Sequence, residues 1–173
     1  MIDRIRSAAD SNHIEALNVL GIMYLKGEGC DQDAALAAHC FQSAADKGSV
    51  DALVNMGSLY ELGAAGWKKD PKLAAQWYQK AADQNNDRAL NNLGCLFIHG
   101  VGVEKNIVTA VELLSRSATQ GNVNALYNLG VYYEVLLIQY LVILNTLDEW
   151  RCGRSGSVIC SSSSGKRHGE ACF

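Results

Sequence analysis

A glycine that returns at a fixed interval inside helix-forming text is the feature that most constrains this chain. Gly21, Gly57, Gly94 and Gly130 follow one another at steps of 36, 37 and 36 residues. The surroundings return with them. An Ala-Leu pair opens each copy (Ala16-Leu17, Ala52-Leu53, Ala89-Leu90, Ala125-Leu126), Leu or Met directly precedes the glycine, and an aromatic follows it (Tyr24, Tyr60, Phe97, Tyr133). A constant period of about 20–50 residues is the signature of a stacked array, in which each unit buries its apolar face only against its neighbours.

Each copy reads as two antiparallel helices, A and B. In helix A the Ala, Leu, Gly and aromatic positions fall on one face of a 3.6-residue helix. A glycine inside a helix costs about 1 kcal/mol relative to alanine. Its recurrence at one position therefore predicts a neighbouring helix too close to admit a β-carbon. Paired glycines (Gly27 and Gly29, Gly63 and Gly66) are expected to end helix A. Helix B opens on a capping residue, Asp33, Asp70 or Asn106, and Pro71, the sole proline, follows the second cap. Leu36, Ala37 and Phe41, then Leu73, Ala74 and Tyr78, then Val108, Ala110 and Leu114 are expected to face neighbours. Gly48, Asn85 and Gly121 close the three B helices, being residue types that tolerate left-handed backbone.

The opening segment reads as the end of a B helix. Ala8-Ala9 lies 36 residues before Ala44-Ala45, and Asn12 lies 36 before Gly48, so an upstream part of the array is expected. After Tyr133 the pattern stops. Leu136 and Ile138 stand where glycines belong, and the spacing predicts one helix prolonged to about Asn145. From Arg151 the text turns rich in Ser and Gly with no helical period, which predicts disorder. The fold class expected is all-α, an α/α solenoid of about three full repeats with partial repeats at both ends. It comprises a repeat domain over 1–134, a prolonged apolar helix over 135–150 and a tail over 151–173.

The pattern A-x-x-x-L-G-x-x-Y-x-x-G-x-G, followed by a capped helix with a tryptophan and a K-A-A ending, resembles the SEL-one-like repeat family, relatives of the tetratricopeptide repeats. The resemblance covers about residues 2 to 133. The fullest copy starts at Ala52 and has Trp77 and Lys80-Ala81-Ala82 in place. Departures are Cys40 and Leu113 at the tryptophan position, Ser43 and Arg116 at the lysine position, and one extra residue in the Gly63–Gly66 loop. The signature positions are Gly21, Tyr24, Gly57, Tyr60, Trp77, Gly94, Phe97 and Gly130. The resemblance implies a right-handed superhelix of helical hairpins whose inner surface binds proteins, acting as adaptor or scaffold without catalysis or cofactor. The per-repeat disulfide of secreted cysteine-rich relatives is not repeated here, because Cys30 and Cys40 lack counterparts in repeats two and three.

In such arrays the A helices line the concave face. The residue three after the opening Ala reads Val19, Asn55, Asn92 and Asn128. An asparagine ladder can hold the backbone of an extended peptide, since each side chain both donates and accepts. It can equally bond its own array's backbone as a spacer. Met23, Lys26, Ser58, Glu61, His99 and Tyr132 are expected to flank the same channel.

Other chemistries find little support. A formal charge of −3 without a basic face excludes the usual nucleic-acid footprint. No His-Glu-x-x-His occurs, and His13, His39 and His99 read as surface or packing residues. The tail segment from Cys160 to Arg167 lacks the first glycine and the final Ser/Thr of a phosphate loop, and Ser163-x-x-Lys166 stands in text with no scaffold. Cys152, Cys160, His168 and Cys172 do not have the short spacing of a zinc clamp, so no metal is expected. Met1-Ile2-Asp3-Arg4 does not open as a secretory signal does. Cys30, Cys40, Cys95, Cys152, Cys160 and Cys172 then read as reduced thiols of a cytoplasmic protein, with Cys95 a small buried residue. Self-association is expected through residues 131–144. The alternatives are a membrane-tethered scaffold anchored by Val135–Leu144, and a hydrolase resembling bacterial cysteine-rich relatives. Glu134 and Gln139 interrupt the apolar run that a span would need.

Overall fold

The computed structural model describes residues 2–11 and 13–154. Within the last helix the side chains are described to Ile143. The readings of Asn12 and of the tail beyond 154 fall outside the described residues.

The described residues form eight α-helices, and no strand occurs among them. They are α1 (Ile2–Asp10), α2 (Ile14–Lys26), α3 (Ala34–Asp46), α4 (Val50–Leu62), α5 (Pro71–Ala82), α6 (Asp87–His99), α7 (Ile107–Thr119) and α8 (Val123–Arg154), with a single 3₁₀ turn at Ala64–Gly66. The A helices are α2, α4, α6 and the start of α8; the B helices are α1, α3, α5 and α7. The chain divides into two units, residues 1–132 and 133–173. The first is the helical array.

Local chemistry sets the boundaries between the loops and the B helices. Asp33 Oδ1 accepts from the N–H groups of Ala35 and Leu36 at 2.8 and 2.9 Å, and Asp70 Oδ1 from those of Lys72 and Leu73 at 3.0 and 3.1 Å. Asn106 caps α7 through the Thr109 N–H at 3.2 Å. Such caps are worth about 1 kcal/mol each. The capping residue's own N–H donates back to the carbonyl of the A-helix aromatic: Asp33 to Tyr24, Asp70 to Tyr60 and Asn106 to Phe97, at 2.8 to 3.0 Å. One sequence position thus ends the loop and starts the helix in every copy. Three of the A helices, α4, α6 and α8, carry their own caps, Ser49, Asn86 and Asn122, which the sequence reading did not single out. Gly27, Gly63 and Gly100 end the A helices with φ of 66° to 71°. Gly48, Asn85 and Gly121 take φ of 60° to 89° just past the B helices.

The recurring helix-A glycine is pressed as expected in three copies. A β-carbon on Gly21 would lie 2.5 Å from the Phe41 ring, on Gly57 2.5 Å from the Tyr78 ring, and on Gly94 2.9 Å from Leu114 Cγ. At Gly130 it would meet nothing within 4 Å. Among the described residues no B helix follows it, because α8 continues through the positions of the missing turn glycines. Phe41, Tyr78 and Leu114 are buried, together with the alanines that let the helices approach: Ala37, Ala44, Ala52, Ala74, Ala81, Ala89 and Ala110. Lys80 caps the face of Trp77 with its ammonium 4.3 Å from the ring centre, which gives the Trp and Lys of the repeat signature a shared role.

Three expectations need correcting. Leu36 and Val108 point to solvent, because each lies in the first turn of its helix, off the stripe that buries Ala37 and Ala110. Cys95 is only half-buried. The prolonged helix ends at Arg154 rather than near Asn145, so residues 151–154 are helical.

Candidate functional site

The polar residues of helix A gather on one buried hydroxyl contributed by helix B. Tyr78 of α5 is fully buried, and its hydroxyl donates to Glu61 Oε2 at 2.6 Å. Ser58 Oγ lies 3.0 Å from the Tyr78 oxygen, and the Asn92 side chain lies near it. Burial, reinforced by the Glu61 carboxylate, pushes the Tyr78 phenol well above its ordinary value. The hydroxyl therefore stays protonated and remains the donor. Ser58 and Glu61 reach it because they lie one turn apart on α4, while Gly57 lets the Tyr78 ring come close to the helix backbone.

The seam continues to the next repeat. Asn91 Nδ2 donates to Asn92 Oδ1 at 3.1 Å. Asn128 Nδ2 on α8 donates to Asn91 Oδ1 at 2.9 Å and meets Cys95 Sγ at 3.3 Å. Burial, then the Glu61 charge, raises the Cys95 thiol above its usual range. Glu61, Ser58 and Tyr78 form one hydrogen-bonded group and Asn92, Asn91, Asn128 and Cys95 another, and together they line a polar strip from α4 to α8. Chains of this kind polarise one another and hold neighbouring helices in register.

Of the positions expected to form a channel, Ser58, Glu61, Asn92 and Asn128 are brought into this strip. Asn55, half-buried on α4, takes no part in it. Val19, the first rung of the series, is exposed. Met23 is half-buried with its methyl 3.6 Å from the position of a β-carbon on Gly29. Lys26 is exposed and pairs with Glu28 at 3.4 Å. His99 is exposed at the end of α6, and Tyr132 is half-buried on α8. Sequence reasoning assigned Tyr78 and Cys95 to packing alone and passed over Asn91. The available signal was chemical: Tyr78 stands at a position that is Phe41 and Leu114 in the flanking copies, and only this copy places Ser and Glu beside it.

Elsewhere on the first unit an open groove of about 720 Å³ runs between α1 and α2, lined by Arg4, Ile5, Ala8, Glu15, Ala16 and Val19. Cys30, Cys40 and Cys95 are free thiols. Among the described residues no three His, Cys, Asp or Glu side chains come together as metal ligands.

Four copies of the Sel1 repeat model match the chain, at residues 14–49, 50–86, 87–122 and 123–136. Among solved structures, c5321, a protective antigen present in uropathogenic Escherichia coli strains and displaying an SLR fold, is 37% identical with a TM-score of 0.70. The match covers 76% of this chain and 28% of that one. A Sel1 repeat protein from Oxalobacter formigenes is 35% identical with a TM-score of 0.69 over 76% of this chain and 54% of that one. Helicobacter pylori cysteine rich protein B shares the fold, at 24% identity and a TM-score of 0.57 over 72% of this chain and 94% of that one. The chain thus spans about a quarter to a half of the length of the first two. With the period, the caps, the pressed glycines and four consecutive matches in agreement, this chain belongs to the Sel1 repeat family.

Proposed function

We propose that this chain is a non-catalytic interaction module that takes an extended protein segment across the A-helix face of α4, α6 and α8. Sel1 repeat proteins generally mediate protein–protein interaction. The observation that carries the reading here is the half-buried polar strip, which sets Ser58, Glu61, Asn92 and Asn128 along that face, with Asn92 and Asn128 one repeat apart. Because Asn92 and Asn128 already bond within the strip, their first role is to hold the helices in register. Asn55 is outside it and has its amide available for a partner's backbone. The free thiols at Cys30, Cys40 and Cys95 support a cytoplasmic setting.

The test uses a displayed library of extended peptides against the full chain. Asn55→Ala should weaken the selected binders about 5- to 10-fold, the worth of one net hydrogen bond of about 1–1.4 kcal/mol, with the unfolding midpoint unchanged. Replacing Asn55, Asn92 and Asn128 together by Ala should abolish capture with helicity retained. Equal loss of fold and binding would assign the ladder to spacing alone.

A second surface belongs to the same reading. Residues 123–143 of α8 form a stretch of mean hydropathy 1.4, long and apolar enough by composition to cross a membrane. The first part of it is already committed to the array, for Ala125 is buried and Asn128 bonds to α6. From Tyr133 to Leu147 the helix is about 22 Å long at about 1.5 Å per residue, short of a hydrocarbon core of about 30 Å. Val135 to Ile143 expose apolar side chains on every side, and a helix apolar all round calls for cover. We assign that cover to protein, a partner or a second copy, over residues 131–144.

A further inference from the structure

The slot between one repeat and the next is filled by the chain's own tryptophan in one place and left open in the following one. Counting back from the helix-B cap, Trp67 stands three residues before Asp70, and Val103 three residues before Asn106. Trp67 packs against a cluster that includes Ala38 of α3 and Met56 of α4, with its ring edge-on to Tyr60 and the two centroids 5.8 Å apart. Thirty-seven residues on, Ala75 of α5 and Leu93 and Phe97 of α6 take the places of Ala38, Met56 and Tyr60. Val103 packs there as well but is much smaller than an indole, and the four residues line an open groove of about 280 Å³. An apolar cavity of roughly 150 Å³ already takes benzene. The groove lies inside the array, with α3 and α4 before it in the chain and α7 after it.

The two slots differ at the rim. Lys72 and Gln76 of α5 line the open one, where the filled one has Ala35 and His39. The indole N–H of Trp67 is buried without a hydrogen-bond partner, which a buried tryptophan ordinarily avoids. In the open slot the Gln76 amide oxygen can accept such an N–H, and Lys72 supplies a cation for a carboxylate beside the ring.

We infer that the groove between α5 and α6 takes a tryptophan side chain of a partner protein in which an acidic residue adjoins that tryptophan. The indole lies on Ala75, Leu93, Phe97 and Val103 as Trp67 lies on its own cluster, and the acid pairs with Lys72. A large aromatic seated in a formed pocket is the usual anchor of a protein interface. This surface is separate from the polar strip of α4, α6 and α8 and does not rest on the function proposed for that strip.

The experiment follows backbone amide shifts of the isotope-labelled full chain by NMR on adding three probe peptides, acetyl-Asp-Trp-Asp-amide, acetyl-Asn-Trp-Asn-amide and acetyl-Asp-Ala-Asp-amide. Both tryptophan peptides should give saturable shifts centred on Gln76, Phe97 and Val103, and the alanine peptide none. The acidic tryptophan peptide should bind about 2- to 5-fold tighter than the neutral one, the range of an exposed ion pair. Val103→Trp closes the slot from within the chain and should abolish the shifts. Lys72→Glu, at an exposed helix position, supplies a second reading should Val103→Trp disturb the fold: it should remove the advantage of the acidic peptide. Asn55→Ala should alter neither. The inference is overturned by an absence of saturable shifts at these amides, by equal shifts from the alanine peptide, or by equal binding of the two tryptophan peptides to the unaltered chain. Binding by a folded Val103→Trp protein overturns it too. So do shifts at the same amides that grow with protein concentration in the absence of peptide, which would give the groove to a second copy.

Discussion

The helix-A glycine offers a substitution whose sign should reverse between copies. In Gly57→Ala the new β-carbon would arrive 2.5 and 2.6 Å from two atoms of the Tyr78 ring, about an ångström inside contact. The ring has little room to yield: it is fully buried and its hydroxyl is tied to Glu61 and Ser58. Overpacking of this kind costs about 1–3 kcal/mol, and drawing a buried hydroxyl off a carboxylate adds about 1.5–3 kcal/mol. Removing glycine from a helix returns about 1 kcal/mol. The balance is a loss of about 1.5–5 kcal/mol. In Gly94→Ala the β-carbon meets the branched end of Leu114 at 2.9 Å and the Ala110 carbonyl at 3.3 Å, so a smaller loss of about 1 kcal/mol is expected. In Gly130→Ala it meets nothing, and the helix propensity remains as a gain of about 0.5–1 kcal/mol. Urea unfolding followed at 222 nm, at concentrations where the chain is monomeric, reads all three as shifts of midpoint. A Gly57→Ala protein as stable as the parent, or a Gly130→Ala protein less stable than it, would refute the account of the glycine as a close-contact residue.

Burial raises the pKa of Tyr78, Cys40 and Cys95. A group whose folded value is raised contributes stability that is complete below its unfolded value, about 8.5 for Cys and about 10 for Tyr, and that is lost as pH rises through the folded one. Stability should therefore be level up to about pH 8 and decline through pH 9 to 11, and Tyr78→Phe should flatten the upper part of that decline while lowering the plateau by about 1.5–3 kcal/mol. For the same reason Cys40 and Cys95 should be alkylated at pH 8 several-fold more slowly than in the urea-unfolded chain, as mass spectrometry of modified peptides would show. Asp70→Ala should cost about 1 kcal/mol by loss of two N–H partners, and Asp70→Asn, which can still cap, should recover most of it in the same unfolding assay.

The period, the helix pairs, the caps at Asp33, Asp70 and Asn106 and the left-handed stops at Gly48, Asn85 and Gly121 could all be read from residue order, because each depends on groups only a few positions apart. The pressed glycines could be read as well, since a costly residue retained at one phase of a repeat implies a neighbour. What required coordinates was every contact whose partners lie a repeat or more apart. Residue order offers Tyr78 as one more core aromatic; only the packing of α4, α5 and α6 brings Glu61, Ser58 and Asn92 to its hydroxyl. The ladder of asparagines was visible, yet which rungs bond to one another and which stands aside depends on helix spacing of a few tenths of an ångström. Gly130 carries the same letters as its three counterparts, and it differs from them because a glycine's role is set by what the tertiary structure puts against it.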